Sequence, residues 1–203
     1  MNALLFARRH FRRFDEHHDK ARESFNKRFW DPSRGYLLDV VDVDHVAGKV
    51  DASLRPNQIL AAGGLPLSVV DDAIQRRVVK VVEEHLWTPM GLRSLAPSDP
   101  AYRGRYEGGV KERDGAYHQG TVWPWLLGPF VDAWLRAHGE SREVKDEAYK
   151  RFVVPMLSHL GHAGLGHVSE LADGDAPHAP KGAPFQAWSV TELLRLARRF
   201  SRR

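Results

Sequence analysis

The residues best suited to chemistry are concentrated in the segment Val168–Val190, which reads VSELADGDAPHAPKGAPFQAWSV. Its first part holds three carboxylates, at Glu170, Asp173 and Asp175. Prolines and glycines follow, and then an apolar stretch led by Gln186 and Trp188. A polar, turn-rich loop is a poor core element, whereas loops positioned by a rigid scaffold often carry function. The pattern indicates an acid or base held beside an indole, which suits a sugar ring.

Glu170 is the leading catalytic candidate among these carboxylates. Hydrolysis of a glycosidic bond uses two carboxyl groups that flank the bond, together with groups that hold the sugar. Glu170 is predicted to lie on a loop between helices, where a scaffold would position its side chain. An exposed turn glutamate would give the same pattern, so both interpretations stay open at this point.

Asp173 and Asp175 flank Gly174 in an Asp-Gly-Asp motif. These carboxylates could bind a cation or sugar hydroxyls, but the motif is also ordinary turn chemistry, and we favour the turn. The further acids of a calcium-binding loop are absent. Asp173 is kept as a candidate contact to a substrate hydroxyl.

Two further motifs offer groups that could hold a sugar. The RPNQ motif places a guanidinium and two amides around a proline turn, through Arg55, Asn57 and Gln58. The YHQGTVWPW motif places polar rings where a glycine turn meets an apolar helix, through Tyr117, His118, Gln119 and Trp123. Helix capping explains the first motif equally well, and single tryptophans are more often core residues than ligand contacts.

No metal or cofactor is predicted. The chain has no cysteine, and its histidines form no HExxH or His-x-His arrangement. The absence of cysteine and of a G-x-S-x-G motif also argues against nucleophilic catalysis.

The elements that must position these residues are predicted to be mostly helical. Apolar residues recur at helical spacing in six or seven segments. We expect Ser68 to cap a helix whose first turn contains Asp71 and Asp72. Four further features are expected: a short extended segment at Tyr36–Val41, a helix after Thr121 with a kink at Pro129, a helix at Ser141–Leu160 bent at Pro155, and a last helix at Gln186–Phe200 with Ala187, Val190, Leu194 and Ala197 inside.

The stretch Thr88–Gln119 has no sustained period and is rich in aromatic and charged side chains. A connection of this length without its own structure is usually a functional loop or disordered. We predict an ordered loop that borders the same pocket as the segment at Val168–Val190.

Composition places the chain among globular domains. Its 203 residues suit one domain, and 42% hydrophobic with 28% charged residues is an ordinary balance. The net charge of +4 comes from arginines clustered at both ends, which we assign to solvated helix faces rather than to a nucleic-acid site. The longest apolar runs are too short for a membrane helix, and a cytoplasmic location is expected.

Several ordered motifs together resemble the C-terminal region of bacterial and archaeal glycogen debranching enzymes, the amylo-alpha-1,6-glucosidase domain. The resemblance covers nearly the whole chain and lies in the segments Ala21–Val41, Arg55–Ala61, Tyr102–Gly109, Asp114–Phe130 and Ser169–Arg195.

The resemblance implies an all-α fold of the glucoamylase type, an (α/α)6 toroid around a pocket that cleaves α-1,6-linked glucose from a limit dextrin. It implies that Glu170 is the general base of an inverting hydrolysis. It also implies that the RPNQ motif, the YHQGTVWP motif and the segment Gln186–Trp188 line the glucose subsites. Glycogen or an α-glucan oligosaccharide is the implied partner.

The chain departs from the family pattern in three ways. A complete toroid needs about twice this length, and the upstream motif with a tryptophan–methionine–aspartate core, which carries the family's general acid, is absent. Lys181–Ala183 also reads KGA where members tend to have arginine and cysteine. We therefore expect residues 1–203 to form the C-terminal half of a toroid, doubtful in activity by itself. The other half of the toroid would be a separate N-terminal polypeptide or a second copy. Within this chain, the conceivable substitutes for the general acid are Asp39, Asp51 and Asp114. The alternative function is a non-catalytic half-domain that binds oligosaccharide or a partner.

Overall fold

The computed structural model describes residues 2–11 and 14–201. Within these ranges the α-helices are α1 (Asn2–Phe11), α2 (Asp15–Phe29), α3 (Asp72–His85), α4 (Val110–Ala116), α5 (Leu127–His138), α6 (Arg142–Ala148), α7 (Val154–His159) and α8 (Ala187–Ser201). The strands are β1 (Trp30–Asp31), β2 (Tyr36–Leu37), β3 (Val40–Val41), β4 (Val50–Asp51), β5 (Trp87–Thr88), β6 (Gly91–Arg93), β7 (Val122–Trp123), β8 (Leu171–Ala172) and β9 (Pro180–Lys181). Four arginines of the clusters at the two ends, Arg12, Arg13, Arg202 and Arg203, lie outside the described ranges.

The core lies around α5, as the nearly continuous apolar sequence of this helix predicts. Phe130 and Trp134 are buried, and both rings make edge-on contacts with Phe152, at centroid separations of 5.1 and 5.3 Å. The helix packs against α3 and against the π-helical turn Leu60–Gly64. Burial of large aromatic rings in this arrangement makes α5 the scaffold on which the surrounding loops are held.

The predicted helix after Thr121 begins later than expected. Val122 and Trp123 form β7 instead, and a 3₁₀ turn at Pro124–Leu126 leads into α5. Pro129 therefore falls in the first turn of α5, where its missing N–H is not needed, so the expected kink is not required.

Helix α3 begins after Asp71, and the predicted cap at Ser68 is wrong. The Ser68 hydroxyl donates to the Val70 carbonyl at 3.0 Å, within a turn that precedes the helix. Short hydroxyl side chains compete in this way for nearby backbone groups.

The predicted single helix Ser141–Leu160 is divided into α6 and α7 by a π-helical turn at Tyr149–Val153. Ser141 caps α6 as a side-chain acceptor for Val144 N–H at 3.3 Å. Pro155 has no N–H and cannot donate a hydrogen bond to the preceding helical turn. The π-helical turn therefore falls directly before it.

Helix α8 agrees with the prediction in its bounds but not in its inner face. The buried residues are Ser189, Leu193, Leu196 and Phe200, whereas Leu194 is half exposed. The same rotation directs Trp188 outward, with half of its side chain accessible.

A five-stranded antiparallel sheet, in the order β5-β6-β7-β8-β9, departs from the purely helical prediction. Its strands are two or three residues long and pair Leu92 with Trp123, Val122 with Ala172, and Leu171 with Lys181. The segment Tyr36–Val41 is extended as predicted, in β2 and β3. The larger sheet matters because it places three segments side by side. They are the YHQGTVWP turn, the loop that carries Glu170, Asp173 and Asp175 (the acid-rich loop), and the turn Lys181–Ala183.

The basic C-terminal helix is tied into ion pairs. Arg195 and Arg199 each contact one oxygen of Asp132 at 2.8 Å, and Arg199 also reaches Glu140. These arginines are thus paired with carboxylates on a partly accessible face of α8, and the assignment of the basic ends to solvated helix faces stays a prediction. None of the described helices has the length and apolar character to cross a bilayer; the longest, α2 and α8, have 15 residues each.

Candidate active site

A cleft of about 820 Å³ collects most of the residues that the sequence singles out. Its aromatic lining consists of Tyr117, His118, Trp123, Trp125 and Trp188. Its polar lining includes Asp39, Asp51, Arg55, Asn57, Ser94, Asp114 and Gln119. Apolar walls with a few convergent polar groups are the usual character of a ligand pocket. We call this space the large cleft.

Three indole rings and one imidazole form one wall of the large cleft. Trp188 lies 6.3 Å from Trp123 and 6.2 Å from Trp125, measured between ring centroids. His118 stacks on Trp123 at 5.3 Å with the planes 12° apart. Trp123 is buried while Trp188 is half exposed, so Trp188 presents the accessible ring face of this wall.

Arg55 holds the floor of the large cleft together. Its Nη1 donates to the carbonyls of His118 and Ser94 at 2.7 and 3.2 Å, and its Nη2 donates to Gln119 Oε1 at 2.7 Å. Its Nε lies 3.5 Å from Asp39. These contacts use most of the guanidinium donors, so Arg55 fixes the position of the His118–Gln119 turn.

The other two residues of the RPNQ motif differ in their placement. Asn57 is exposed in the large cleft and donates to Asp39 Oδ1 at 3.3 Å. Gln58 is buried: its oxygen accepts from Leu37 N–H at 3.2 Å and its amide nitrogen donates to the Arg55 carbonyl at 2.9 Å. Both ends of the Gln58 amide are thus occupied by the protein, although the sequence predicts a contact to sugar.

Glu170 lies beside the large cleft and lines a second, smaller one of about 580 Å³. Its Oε1 accepts from the Tyr117 hydroxyl at 2.5 Å, and its Oε2 accepts from Ala183 N–H at 2.9 Å. Tyr106, Glu107, Arg113 and Lys181 complete the smaller cleft, which is strongly polar. Because the Tyr117 ring belongs to the large cleft, the Tyr117–Glu170 hydrogen bond lies at the boundary between the two spaces.

The Tyr117 hydroxyl is a stable donor in this bond. Burial, and next the hydrogen bond to Glu170, raise the pKa of Tyr117 to about 12. The phenol therefore keeps its proton at neutral pH and donates it to the carboxylate.

Asp173 and Asp175 fasten the acid-rich loop to the loop around Tyr106. Asp173 is 2% exposed and accepts from Tyr106 N–H at 2.8 Å and from Arg105 at 3.4 Å. Asp175 accepts from the Tyr102 hydroxyl at 3.0 Å. Asp173 thus holds Tyr106 beside Tyr117, with ring centroids 5.9 Å apart, while its predicted contact to substrate stays a prediction.

Most of the remaining predicted site residues line the large cleft, and one does not. Tyr117, His118, Gln119, Trp123 and Trp188 come together in the large cleft, whereas Gln186 lies outside the lining of both clefts. Gln186 N–H donates to the Val168 carbonyl at 3.0 Å, which fixes the start of α8. The predicted loop Thr88–Gln119 contains β6 and α4 and borders both clefts.

Sequence reasoning missed the main-chain donor Ala183 and the hydroxyl of Ser94, which accepts from Gly120 N–H at 2.9 Å. A main-chain donor has no signature in residue type, so no sequence signal could have found Ala183. Ser94 could be found only after β6, which it directly follows, is paired with the Thr121 segment. No group of three or more His, Asp or Glu side chains within residues 2–11 and 14–201 is arranged to hold a metal ion.

His159 is buried directly behind the acid-rich loop, and we expect it to make stability dependent on pH. Its Nε2 lies 3.3 Å from Ser169 Oγ, next to Glu170, and burial lowers the pKa of His159. The unfolded chain then binds the proton more readily, so stability should be full above about pH 6.5 and decline as the pH falls through the lower folded pKa.

Thermal unfolding from pH 8 to pH 5 measures this effect. His159→Gln should reduce the slope below pH 6.5, while exposed His17→Gln should leave it unchanged. His178, whose pKa burial also lowers, accounts for a residual slope. Identical pH profiles for His159→Gln and the unsubstituted protein would remove His159 from this account.

Comparisons with known proteins agree with the arrangement of these motifs. A model of the amylo-alpha-1,6-glucosidase family matches residues 4–195. The glycogen debranching enzyme of Saccharomyces cerevisiae is 30% identical over 218 aligned residues, which cover 90% of this chain and 14% of that enzyme. The chain thus spans about one seventh of this relative. On the extent of the family match, the chain belongs to the amylo-alpha-1,6-glucosidase family.

Proposed function

We propose that this chain forms the base-bearing part of an inverting α-1,6-glucosidase site that acts on branch-point glucose in glycogen or limit dextrin. The observation that carries the proposal is the placement of Glu170, held by two donors where an aromatic cleft meets a polar one. Family membership supports the substrate class.

The proposed reaction needs a base and an acid on opposite faces of the scissile bond. Glu170 takes a proton from water, the water oxygen bonds to C1 of the glucose, and the C1–O bond to the branch breaks. A carboxylic acid gives a proton to the departing oxygen, so that the products are glucose and the debranched glucan.

The acid is the part for which the large cleft offers no clear residue. Hydrogen bonds from the Ser53 side chain and main chain hold the pKa of Asp51 below its usual value, which opposes a proton-donor role. Asp39 is engaged by Arg55 and Asn57, and Asp114 is exposed on α4. We therefore propose that the acid is supplied from outside these 203 residues.

An (α/α)6 toroid, in which residues 1–203 form the C-terminal half, is the architecture that we propose for the complete domain. The eight helices found within the described ranges and the family match support it. A cytoplasmic location is proposed with it, in keeping with a cysteine-free chain.

Substitution of Trp188 by alanine tests whether the large cleft binds glucan. We expect Trp188→Ala to raise the Kd for a maltooligosaccharide about tenfold, because the accessible indole face loses its contact with the sugar. Calorimetric titration measures the change, and Phe185→Ala is the matched control, since Phe185 is also an exposed aromatic residue but lines neither cleft. A Kd unchanged by Trp188→Ala would contradict the assignment of this wall.

A second candidate function, binding of a partner polypeptide or a second copy, is favoured by the exposed rings near the N-terminus. Phe6, Phe11 and Phe14 are 57%, 63% and 46% exposed. Exposed apolar patches of this kind mark interaction surfaces. Light scattering at high protein concentration tests the binding of a second copy, because a protein that stays monomeric would oppose self-association.

A further inference from the structure

Tyr117 is shared by the two clefts. Its ring lines the large cleft and contacts Trp123 edge-on at 5.0 Å, and its hydroxyl donates to Glu170 in the smaller cleft. Few side chains could do both, because the phenol has an apolar body with a single polar tip.

The backbone at Tyr117 is held firmly. Its carbonyl accepts from Thr121 Oγ1 at 2.5 Å and from Trp123 Nε1 at 3.3 Å. Its N–H donates to the Asp114 carbonyl at 3.3 Å, at the end of α4. The ring is therefore fixed at its base, and the direction of its hydroxyl is determined by the fold.

The opposite oxygen of Glu170 is held by a turn that depends on glycine. Gly182 has φ +69°, and a Cβ built there would lie 2.5 Å from Glu170 Oε2. The absent side chain lets the turn approach closely enough for Ala183 N–H to donate to that oxygen. The Glu170 carboxylate is thus clamped between a side-chain donor and a main-chain donor.

We propose that Tyr117 is the positioning residue of Glu170, which it orients toward the large cleft by fixing one carboxylate oxygen at the boundary between the clefts. The inference rests on the proposed function, since it assigns Glu170 the role of the base. Without the hydroxyl, the carboxylate keeps only the Ala183 donor and can rotate. An error of about 1 Å in the position of a reacting group can lower a rate about 10²-fold.

Hydrolysis of α-glucosyl fluoride by the 203-residue protein provides the kinetic test, because fluoride departs without a proton from an acid. We expect Tyr117→Phe to lower kcat about 10- to 100-fold and to leave KM nearly unchanged, since the ring stays in the wall and only the hydroxyl is lost. Tyr149→Phe, in the π-helical turn after α6, is the control and should match the unsubstituted protein. An unchanged kcat would show that the hydroxyl does not position Glu170, and would overturn the proposal whatever the effect on KM.

Titration of the Tyr117 phenol tests the same bond without any activity. With ¹³C-labelled tyrosine and NMR, the Tyr117 resonance, assigned by its loss in Tyr117→Phe, should titrate near pH 12. Glu170→Ala, which removes the acceptor and its charge, should lower this pKa, while burial keeps it above about 10. If the pKa does not move, the hydrogen bond is absent and the proposal fails. If the bond is seen but the unsubstituted protein releases no fluoride, the proposed function fails and with it the role of Tyr117 in catalysis.

Discussion

Replacement of Glu170 by glutamine is expected to lower the hydrolysis of α-glucosyl fluoride about 10²- to 10⁴-fold. This is the range that general-base assistance contributes, and the amide cannot take a proton from water. Glutamine keeps the size of the side chain and an oxygen that can accept from Tyr117. The fold and the Kd for glucan should therefore change little, and fluoride release measured by an ion-selective electrode should report the chemical step.

Two controls separate the role of Glu170 from general effects of charge. Glu112→Gln removes a carboxylate from exposed α4 and should leave the rate unchanged. Asp114→Asn removes a carboxylate from the large cleft itself and should also leave the rate unchanged, because fluoride departs without a proton from an acid. Equal rates for Glu170→Gln and the unsubstituted protein would show that Glu170 is not the base.

Removal of the Arg55 guanidinium is expected to have the second large effect. Arg55→Ala deletes the donors to His118, Ser94 and Gln119 and leaves Asp39 without its cation. The free energy of unfolding should fall by about 2–4 kcal/mol, since partly buried acceptors and a carboxylate lose charged partners. Glucan affinity should fall as well, because the His118–Gln119 turn loses its support.

Urea unfolding and calorimetric titration of the same samples measure both consequences. Arg55→Lys keeps the charge but lacks the planar fork, and we expect it to recover only part of the stability. Arg34→Ala, which removes an exposed arginine bonded to Asp31, is the control and should cost little. A fully stable Arg55→Ala protein that has lost only its affinity would show that Arg55 contacts the sugar directly instead of supporting the floor.

Long periodic helices could be predicted from the sequence, whereas the sheet could not. Helix α8 has the predicted bounds within one residue, because its apolar repeat continues over four turns. Strands such as β7 and β8 have two residues each and carry no alternation that could be recognised. Their pairing depends on segments far apart in the chain, so only the folded structure shows that Val122 lies beside Ala172.

The candidate site shows a similar division between residue type and residue role. The polar groups of Arg55, Gln58 and Asp173 suit sugar hydroxyls, but in the structure those groups bind the protein itself. The same donors and acceptors satisfy a buried backbone equally well, and burial decides between the uses. The accessible position of Trp188 could be predicted from the sequence, because an indole where a polar loop meets a helix has few core residues to pack against.

The product of α-glucosyl fluoride hydrolysis tests the central claim most directly, because it reports in one spectrum whether this chain activates water and on which face of C1. Proton NMR distinguishes the two anomers of glucose before they equilibrate. The account predicts that the unsubstituted protein first releases the β-anomer together with fluoride, and that Glu170→Gln does not exceed the spontaneous reaction. Release of the α-anomer first, or of the β-anomer at the same rate by Glu170→Gln, would contradict it.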